Sequence, residues 1–315
     1  MDKVRVGIVG LGGFAHVARL PVLAGMDDVE LVSCMCRTQS TVDKVKTQFG
    51  FKNGFTDLDA MIEHGDLDAV FVVTPKDTHY DIVLKLLDAG LHIFCEKPLE
   101  LELSKGQRMV ERAREADRVL MVGFNRRFAP VYERAKELFS ESPPDVCVGF
   151  KNRPGTEYRA TMENTIHIVD LVRWYCGDVV ELHGYSIYDD PHYETTAASI
   201  MRFESGSIGM VLGNRTCGQW MERMELYGGG KTVVVNCPDS VTVVDHETEH
   251  TVHMGPIRMG WATLEEKMGF RQEVRHFVDC LRNGTVPRTS GEDALESHRL
   301  MDRLLRGSGL PGMEQ

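Results

Sequence analysis

A glycine-rich turn close to the start of the chain has the spacing of a dinucleotide-binding fingerprint. Gly10-Leu11-Gly12-Gly13-Phe14-Ala15 follows an apolar run at 4–9 and precedes residues with helical periodicity. Gly10 permits a tight turn, Gly12 lets backbone N–H groups approach a pyrophosphate, and the small Ala15 allows close packing of a helix on a strand. The pattern predicts a dinucleotide site formed by Gly10, Gly12, Gly13, Phe14 and Ala15.

The end of the second predicted strand indicates which dinucleotide is bound. A site that prefers NAD(H) carries Asp or Glu there, to bond the ribose 2′-hydroxyl. This chain has Cys36-Arg37-Thr38 instead, with Cys36 standing 36 − 10 = 26 positions after Gly10. A guanidinium offers a charged fork of donors that suits a 2′-phosphate, so the sequence favours NADP(H) over NAD(H). The alternative is that Arg37 stacks on adenine or is solvated.

Two further motifs could move a proton. In Glu96-Lys97-Pro98 the proline restricts the lysine, and a partly desolvated lysine can exchange a proton near neutral pH. Glu163 stands one helical turn before His167, and Asp170 shares a helix face with that histidine. A carboxylate one turn away can fix the tautomer of an imidazole and raise its basicity. Each motif also has an ordinary interpretation, a surface lysine beside a loop proline and a helix histidine satisfied by an acid.

The elements that must position these residues differ between the two parts of the chain. Residues 1–122 alternate short apolar runs with helical periodicity, which is typical of βαβ units and a parallel sheet. The predicted strands are Val4–Val9, Glu30–Cys36, Ala69–Val73, His92–Cys95 and Val119–Val122, and the predicted helices are Ser40–Phe49, Leu58–His64, Asp77–Ala89 and Ser104–Asp117. Asp77 and Ser104 are predicted N-caps, and Gly90 is a predicted helix stop.

Residues 123–315 are richer in β-type runs. The predicted strands are Val146–Asn152, Val179–Tyr188, Ala197–Phe203, Ser207–Gly213, Met221–Tyr227, Lys231–Asn236 and Val241–Val244, with helices at Val131–Phe139, Ile166–Cys176, Glu265–Arg282 and Gly291–Leu305, and a frayed tail at Leu310–Gln315. We therefore predict an α/β protein with a dinucleotide-binding domain at 1–122. A substrate-binding and oligomerisation domain at 123–315 would carry one large, mostly antiparallel sheet with helices on one face.

Taken together, the motifs resemble the glucose-fructose oxidoreductase/inositol dehydrogenase (Gfo/Idh/MocA) family. The resemblance spans essentially the whole chain, including the helix at 270–279, and rests on the glycine fingerprint, Thr74-Pro75 followed by His79, Glu96-Lys97-Pro98, Gly123-Phe124-Asn125-Arg126-Arg127-Phe128 and Glu163…His167…Asp170. It implies an N-terminal Rossmann domain and a C-terminal α/β domain whose open sheet often builds dimers or tetramers. It also implies nicotinamide-linked oxidation or reduction of a sugar, inositol or related polyol.

The resemblance also assigns roles to residues. The lysine matching Lys97 and the histidine matching His167 work with an acid at the position of Glu163, and the Lys97–Pro98 bond is expected to be cis. Two positions depart from the family pattern, since Glu163 stands where Asp is usual and Thr165 where glycine is common. We expect cofactor contacts from Cys36, Arg37, Thr38, Thr74, Pro75, His79, Glu96 and Lys97. Further candidates, for holding substrate hydroxyls, are Arg127, Lys151 and Asp170.

Several other classes of protein are disfavoured. His246-Glu247-Thr248-Glu249-His250 matches a zinc-protease motif, but its flanks are β-branched, so we predict a hairpin tip and no metal. None of the eight cysteines forms a Cys-x-x-Cys pair, which favours reduced thiols in a cytoplasmic protein. The net charge of 36 − 47 = −11 disfavours nucleic acid as a partner. No apolar run approaches the ~20 residues of a bilayer span.

The leading prediction is an NADP(H)-preferring oxidoreductase that acts on a sugar, inositol or related cyclic polyol. Two alternatives keep the same fold. One is an enzyme whose tightly bound cofactor supports transient oxidation during glycoside cleavage or hydration. The other is a non-catalytic, cofactor-loaded sensor, against which the joint presence of Lys97, Glu163 and His167 argues.

Overall fold

The computed structural model describes residues 3–155, 159–254 and 263–313, and the chain forms two compact units. The first unit comprises Met1–Gly123 together with Phe270–Leu295, and the second comprises Phe124–Gly269 together with Glu296–Gln315. The segment Phe270–Leu295, which lies in the predicted second domain, thus packs with the first unit. The functional division at 122/123 stays a prediction.

The first unit contains a six-stranded parallel sheet in the order β3-β2-β1-β4-β5-β6. This is the strand order of a doubly wound dinucleotide-binding fold, as predicted. Its central strands are apolar and buried because helices cover both faces of such a sheet. The strands are β1 Val4–Val9, β2 Val29–Met35, β3 Asn53–Phe55, β4 Ala69–Val72, β5 His92–Cys95 and β6 Leu120–Val122.

Seven of the described helices lie wholly within this unit and flank the sheet and its connections. They are α1 Gly13–Ala18, α2 Leu20–Ala24, α3 Gln39–Phe49, α4 Leu58–His64, α5 His79–Asp88, α6 Leu103–Glu115 and α10 Phe270–Asn283. The two predicted N-caps are wrong. A 3₁₀ turn at Lys76–Thr78 takes up Asp77 before α5 begins, and α6 begins at Leu103 with Glu102 at the N-cap. Gly90 does follow the end of α5 in a left-handed conformation, with φ 77°.

The second unit contains an eight-stranded sheet in the order β14-β13-β12-β11-β7-β10-β9-β8. All neighbouring pairs are antiparallel except β7 and β10, so the predicted mostly antiparallel sheet is confirmed. The strands are β7 Val146–Asn152, β8 Val179–Asp190, β9 Tyr193–Phe203, β10 Ile208–Asn214, β11 Met221–Gly228, β12 Lys231–Asn236, β13 Ser240–Asp245 and β14 Thr248–His253.

One helix determines which face of this sheet is covered. The helices are α7 Pro130–Glu137, α8 Ile166–Cys176, α9 Leu264–Lys267 and α11 Gly291–Gly307. Ile168 of α8 lies so close to Gly149 in β7 that a Cβ there would stand 2.2 Å from its methyl group. Glycine in the strand therefore lets the helix pack directly on the sheet.

Three predictions in this part of the chain need correction. α7 ends at Glu137, two residues before the predicted end at Phe139. The helix predicted at 265–282 is two helices, α9 and α10, because Gly269 adopts φ 82° between them. The tail is not frayed as far as Met313, since Leu310 and Met313 are buried. Residues 314–315 lie outside the described part of the chain.

The zinc-protease motif forms the predicted hairpin tip. β13 and β14 pair as a hairpin, and His246 stands in the turn with φ 47°. In the described ranges no cluster of three or more His, Cys, Asp or Glu side chains is placed to hold a metal ion. Within the same ranges, none of the helices has the length and apolar character needed to cross a membrane.

Candidate active site

The fingerprint turn has the shape that a bound pyrophosphate requires. Gly10 has φ 97°, and a Cβ there would stand 2.4 Å from the carbonyl oxygen of Val73, so only glycine fits. A Cβ at Gly12 or Gly13 would meet nothing within 4 Å, which leaves open space on the approach to the start of α1. Ala15 is fully buried. Phe14 is 47% exposed at the same turn.

The end of β2 carries no carboxylate beside the predicted ribose position. The Cys36 thiol donates to the carbonyl oxygen of Thr38 at 3.5 Å, and Thr38 is the N-cap of α3. Arg37 is exposed, and no described residue forms an ion pair with it. Its guanidinium is therefore available to a ligand at this edge of the sheet.

His79 ties together two loops at the carboxyl ends of β4 and β5. Its side chain is buried, with Nε2 3.0 Å from the Thr74 carbonyl oxygen and Nδ1 3.1 Å from the Pro98 carbonyl oxygen. Thr74 also accepts a hydrogen bond from Thr78, and Pro75 is exposed beside it. These contacts favour a positioning role for His79, which holds the loop that contains Lys97.

Glu96, the residue before Lys97, is held by a buried arginine of the first unit. Glu96 is 7% exposed, and its Oε1 accepts from Arg19 Nε at 2.6 Å. Lys97 itself is half-buried, and the Lys97–Pro98 bond is cis, as the resemblance implied. The Glu96 carboxylate thus pairs with a buried arginine, whereas the side chain of Lys97 is accessible at the end of β5.

Arg19 is a buried cation that the sequence analysis missed. Its side chain has no exposed surface and lies between Glu96 and Glu273, whose Oε2 is 2.8 Å from Nη1. Its guanidinium carbon is 4.5 Å from the ring centre of Phe94 and 5.2 Å from that of Phe270. Burial alone would lower the pKa of Arg19, but the two carboxylates outweigh it and raise that pKa.

In the second unit, Glu163 and His167 lie at the entrance to α8. Glu163 belongs to a π-helical turn, Thr161–Thr165, and His167 is the second residue of the α-helix that continues it. Glu163 is half-buried, and its Oε2 accepts from the backbone N–H of Arg159 at 2.9 Å. His167 is 5% exposed. The structure therefore confirms that both residues belong to one helical segment.

Asp170 is held by side chains of its own unit. Its Oδ2 accepts from Arg127 Nε at 2.8 Å, and its Oδ1 accepts from Arg127 Nη2 at 2.6 Å and from the Ser297 hydroxyl at 2.8 Å. Asp170 is fully buried and Arg127 is 2% exposed. A bidentate buried pair of this kind fixes the position of α8, which favours a structural role for both residues.

Lys151 belongs to a second buried cluster. Glu222 accepts from Arg126 Nε and Nη2, both at 2.9 Å, and is also bonded by Lys151 and by the Tyr132 hydroxyl. Burial alone would raise the pKa of Glu222, but Arg126 and Lys151 outweigh it and hold that pKa well below its ordinary value. Burial, with a smaller contribution from Arg126, lowers the pKa of Lys151 from 10.5 to about 8. One carboxylate thus faces two cations.

Comparisons with known proteins bear on both units. A family described as oxidoreductases with an NAD-binding Rossmann fold matches residues 4–124, and the GFO/IDH/MocA C-terminal domain matches residues 143–234. The chain belongs to the Gfo/Idh/MocA oxidoreductase family. It is therefore a nicotinamide-dependent oxidoreductase with an NAD-binding Rossmann domain.

Individual proteins match this chain over nearly the full length of both chains. The protein YceM of Salmonella typhimurium is 30% identical over 97% of this chain and 98% of its own. The myo-inositol 2-dehydrogenase of Thermotoga maritima is 27% identical over 92% of each. An oxidoreductase of Agrobacterium radiobacter, solved with NAD⁺, L-tartaric acid and magnesium, shares the fold with a TM-score of 0.88 at 19% identity, over 98% of this chain and 97% of that one.

The residues at the fingerprint fit the cofactor of a Gfo/Idh/MocA enzyme. The open space beside Gly12 and Gly13 admits a pyrophosphate, and the backbone at the start of α1 supplies N–H donors. Gly10 and Thr74 follow β1 and β4, the adjacent strands at which the order of the sheet reverses. Ligands of doubly wound sheets bind at this point.

Thr165, which departs from the Gfo/Idh/MocA pattern, is accommodated by a glycine in the sheet. A Cβ at Gly213 of β10 would stand 1.9 Å from the Thr165 hydroxyl oxygen, so only glycine leaves room for this side chain. The hydroxyl donates to the Ala160 carbonyl oxygen at 2.8 Å, five residues back. The threonine therefore completes the π-helical turn that contains Glu163.

Lys151→Met is expected to remove a rise in stability at alkaline pH. Between pH 8 and 10.5 the unfolded chain still holds the proton that the folded chain has lost at Lys151, so the free energy of unfolding increases with pH. The difference of 10.5 − 8 corresponds to about 3 kcal/mol. Urea unfolding at several pH values measures it. The exposed Lys44→Met should keep the wild-type rise, and a Lys151→Met protein that also kept it would contradict the assignment.

Proposed function

We propose that this protein is an NADP(H)-preferring oxidoreductase that transfers a hydride to or from a sugar, inositol or related cyclic polyol. The observation that carries the proposal is the joint presence of Lys97, Glu163 and His167 in a family member with an open pyrophosphate turn. Related proteins with comparable coverage include the myo-inositol 2-dehydrogenase of Thermotoga maritima and a D-apiose dehydrogenase of Paraburkholderia graminis.

The chain's own residues would manage the proton of the reaction. When bound, the nicotinamide accepts or supplies the hydride. Lys97, half-buried at the end of β5, and His167, at the start of α8, would accept the hydroxyl proton during oxidation or return it during reduction. Glu163 would keep the imidazole in the required tautomer. Two buried clusters would keep the substrate-binding part of the second unit rigid. They are Glu222 with Arg126 and Lys151, and Asp170 with Arg127.

A substrate panel tests this function. Sugars, inositols and keto-sugars would be assayed with NADP(H) and with NAD(H), following absorbance at the nicotinamide band. At least one polyol or ketose should give net cofactor turnover. Turnover with none of them, together with retention of an unchanging cofactor by the purified protein, would contradict the proposal and favour a bound-cofactor mechanism.

Arg37→Ala is expected to lower kcat/KM for NADP(H) about 10- to 100-fold, since a charged hydrogen bond to phosphate contributes about 1.5–3 kcal/mol. Values for NAD(H) should change less than twofold because the 2′-hydroxyl carries no charge. The exposed Arg108→Ala in α6 is the control and should leave both values unchanged. Equal loss with both cofactors would show that Arg37 does not read the 2′-phosphate.

We also propose that the protein is a cytoplasmic homo-dimer or homo-tetramer. The sheet of the second unit exposes large apolar side chains: Tyr185 at 72%, Ile187 at 66%, Ile200 at 42% and Met210 at 41%. Such a surface marks an interaction site. A second copy of the chain would cover it, and a monomeric mass in light scattering would contradict this assignment.

A further inference from the structure

A buried carboxylate in β9 holds the turn that leads into α8. Oε1 of Glu194 accepts from the backbone N–H of Thr161 at 2.8 Å, and Oε2 accepts from Arg159 Nε at 2.8 Å. The Glu194 side chain has no exposed surface, and that of Arg159 is 23% exposed. One carboxylate therefore fixes both the backbone and a side chain of this turn.

The same contacts reach the carboxylate of Glu163. Arg159, whose guanidinium binds Glu194, also donates its backbone N–H to Glu163 Oε2 at 2.9 Å. A movement of Arg159 would move this N–H and with it the Glu163 carboxylate. His167 follows within one turn of the same helical segment. The position of the turn thus determines where both groups point.

Two further bonds anchor or brace the turn. Asn164 Nδ2 donates to the carbonyl oxygen of Lys151 in β7 at 2.7 Å, and Thr165 braces the turn internally through Ala160. With Glu194 in β9, the turn is attached to two strands of the sheet. Sites on rigid elements hold reacting groups more precisely than free loops do.

A stability role alone explains this arrangement poorly. Taking an ion pair out of water is unfavourable, and apolar residues of similar size often replace such pairs without loss of stability. A carboxylate with two directed bonds defines a geometry that an apolar side chain cannot. π-helical turns recur at functional sites for a related reason, because they place side chains where an α-helix would not.

We propose that Glu194 is a positioning residue of the proton relay, which sets Glu163 and His167 by holding Arg159 and the turn at 161–165. The inference rests on the proposed function, in which Glu163 orients His167. It adds a residue of β9 that acts through Arg159 and the turn at 161–165.

Glu194→Gln tests the role with little change of shape. Its amide oxygen can still accept from Thr161, but the charge that holds Arg159 is lost. We expect kcat to fall about 10- to 100-fold, the scale of a misplacement of about 1 Å, with KM for the cofactor changed less than twofold. Arg159→Gln should give a similar loss, and the double variant should be no worse than either single one. Glu194→Asp, which keeps the charge, should recover part of kcat.

A matched control is Glu181→Gln, an exposed carboxylate of β8 paired with Arg202. It should keep wild-type kcat. Wild-type kcat in Glu194→Gln, or a double variant whose loss is the product of the two single losses, would overturn the proposal. NMR titration of the His167 imidazole gives a readout that needs no substrate. A midpoint that differs between wild type and Glu194→Gln supports the proposal even if the substrate panel fails, and an identical midpoint overturns it. If Glu194→Gln does not fold, the same comparison applies to Arg159→Gln.

Discussion

Lys97→Ala and His167→Ala should each lower kcat about 10²- to 10⁴-fold while the cofactor still binds. Positioned general acids and bases contribute a factor of this size. Neither side chain is needed to shape the fingerprint turn, whose geometry depends on Gly10 and the carbonyl oxygen of Val73. Fluorescence titration should therefore show that both variants still bind the cofactor, and the main loss should appear in kcat.

Control substitutions of the same residue types test whether the loss of turnover is specific to Lys97 and His167. Lys105→Ala in α6 and His183→Ala in β8 remove exposed side chains of the same types. Both control variants should retain wild-type turnover. If the two residues act as a unit, the Lys97→Ala/His167→Ala double variant should be little slower than the slower single variant. Normal turnover in both single variants would remove the proposed mechanism.

The architecture of the chain could be predicted because the strands are short apolar runs between turn residues. β1, β5, β7 and β12 begin and end where the sequence predicts. Two strands were missed for different reasons. β3 has only the three residues Asn-Gly-Phe, too few to show alternation. β14 has all six of its residues exposed, so no apolar face marks it.

The sequence identifies candidate residues with reactive groups, but it does not reveal most of the partners that the structure gives to the buried charged residues. Glu222 did have a signal, because it has the same parity in β11 as the buried Met224 and Leu226. Glu194 and Arg19 had none. Arg19 and Glu273 are 273 − 19 = 254 positions apart, and only the folded chain places α10 in the first unit. Pairings over such distances depend on topology, which local patterns do not specify.

A similar limit applies to the roles of predicted residues. The motif Glu96-Lys97-Pro98 resembles a functional unit, yet the structure divides it. Glu96 points to the buried Arg19, while Lys97 is half-buried at the strand end. His79 binds backbone carbonyl groups on both sides. Residues that occur together in a family pattern can therefore have different roles. Their contacts in the structure show which of them interact with the interior of the protein.

Arg19→Met should destabilise the first unit by about 3–5 kcal/mol, because it leaves two buried carboxylates without their cation. The carboxylates of Glu96 and Glu273 would then repel each other without a cation between them. The rings of Phe94 and Phe270 make their surroundings apolar. The backbone of Gly123 also packs closely against Glu96, because a Cβ at Gly123 would stand 2.9 Å from Glu96 Oε2. The Glu96 carboxylate therefore has little room to move away. Urea unfolding measures the change in free energy.

The control for Arg19 is Arg112→Met, which removes a pair with the exposed Asp88 and should cost no more than about 1 kcal/mol. Neutralising both acids with Glu96→Gln and Glu273→Gln in the Arg19→Met background should restore part of the loss, because the uncompensated charges disappear. Recovery would show that the cost arises from charge, whereas an unchanged loss would assign it to packing of the guanidinium between the aromatic rings. A loss below about 1 kcal/mol in Arg19→Met itself would contradict the assignment of Arg19 as the ion that allows Glu96 to be buried immediately before Lys97.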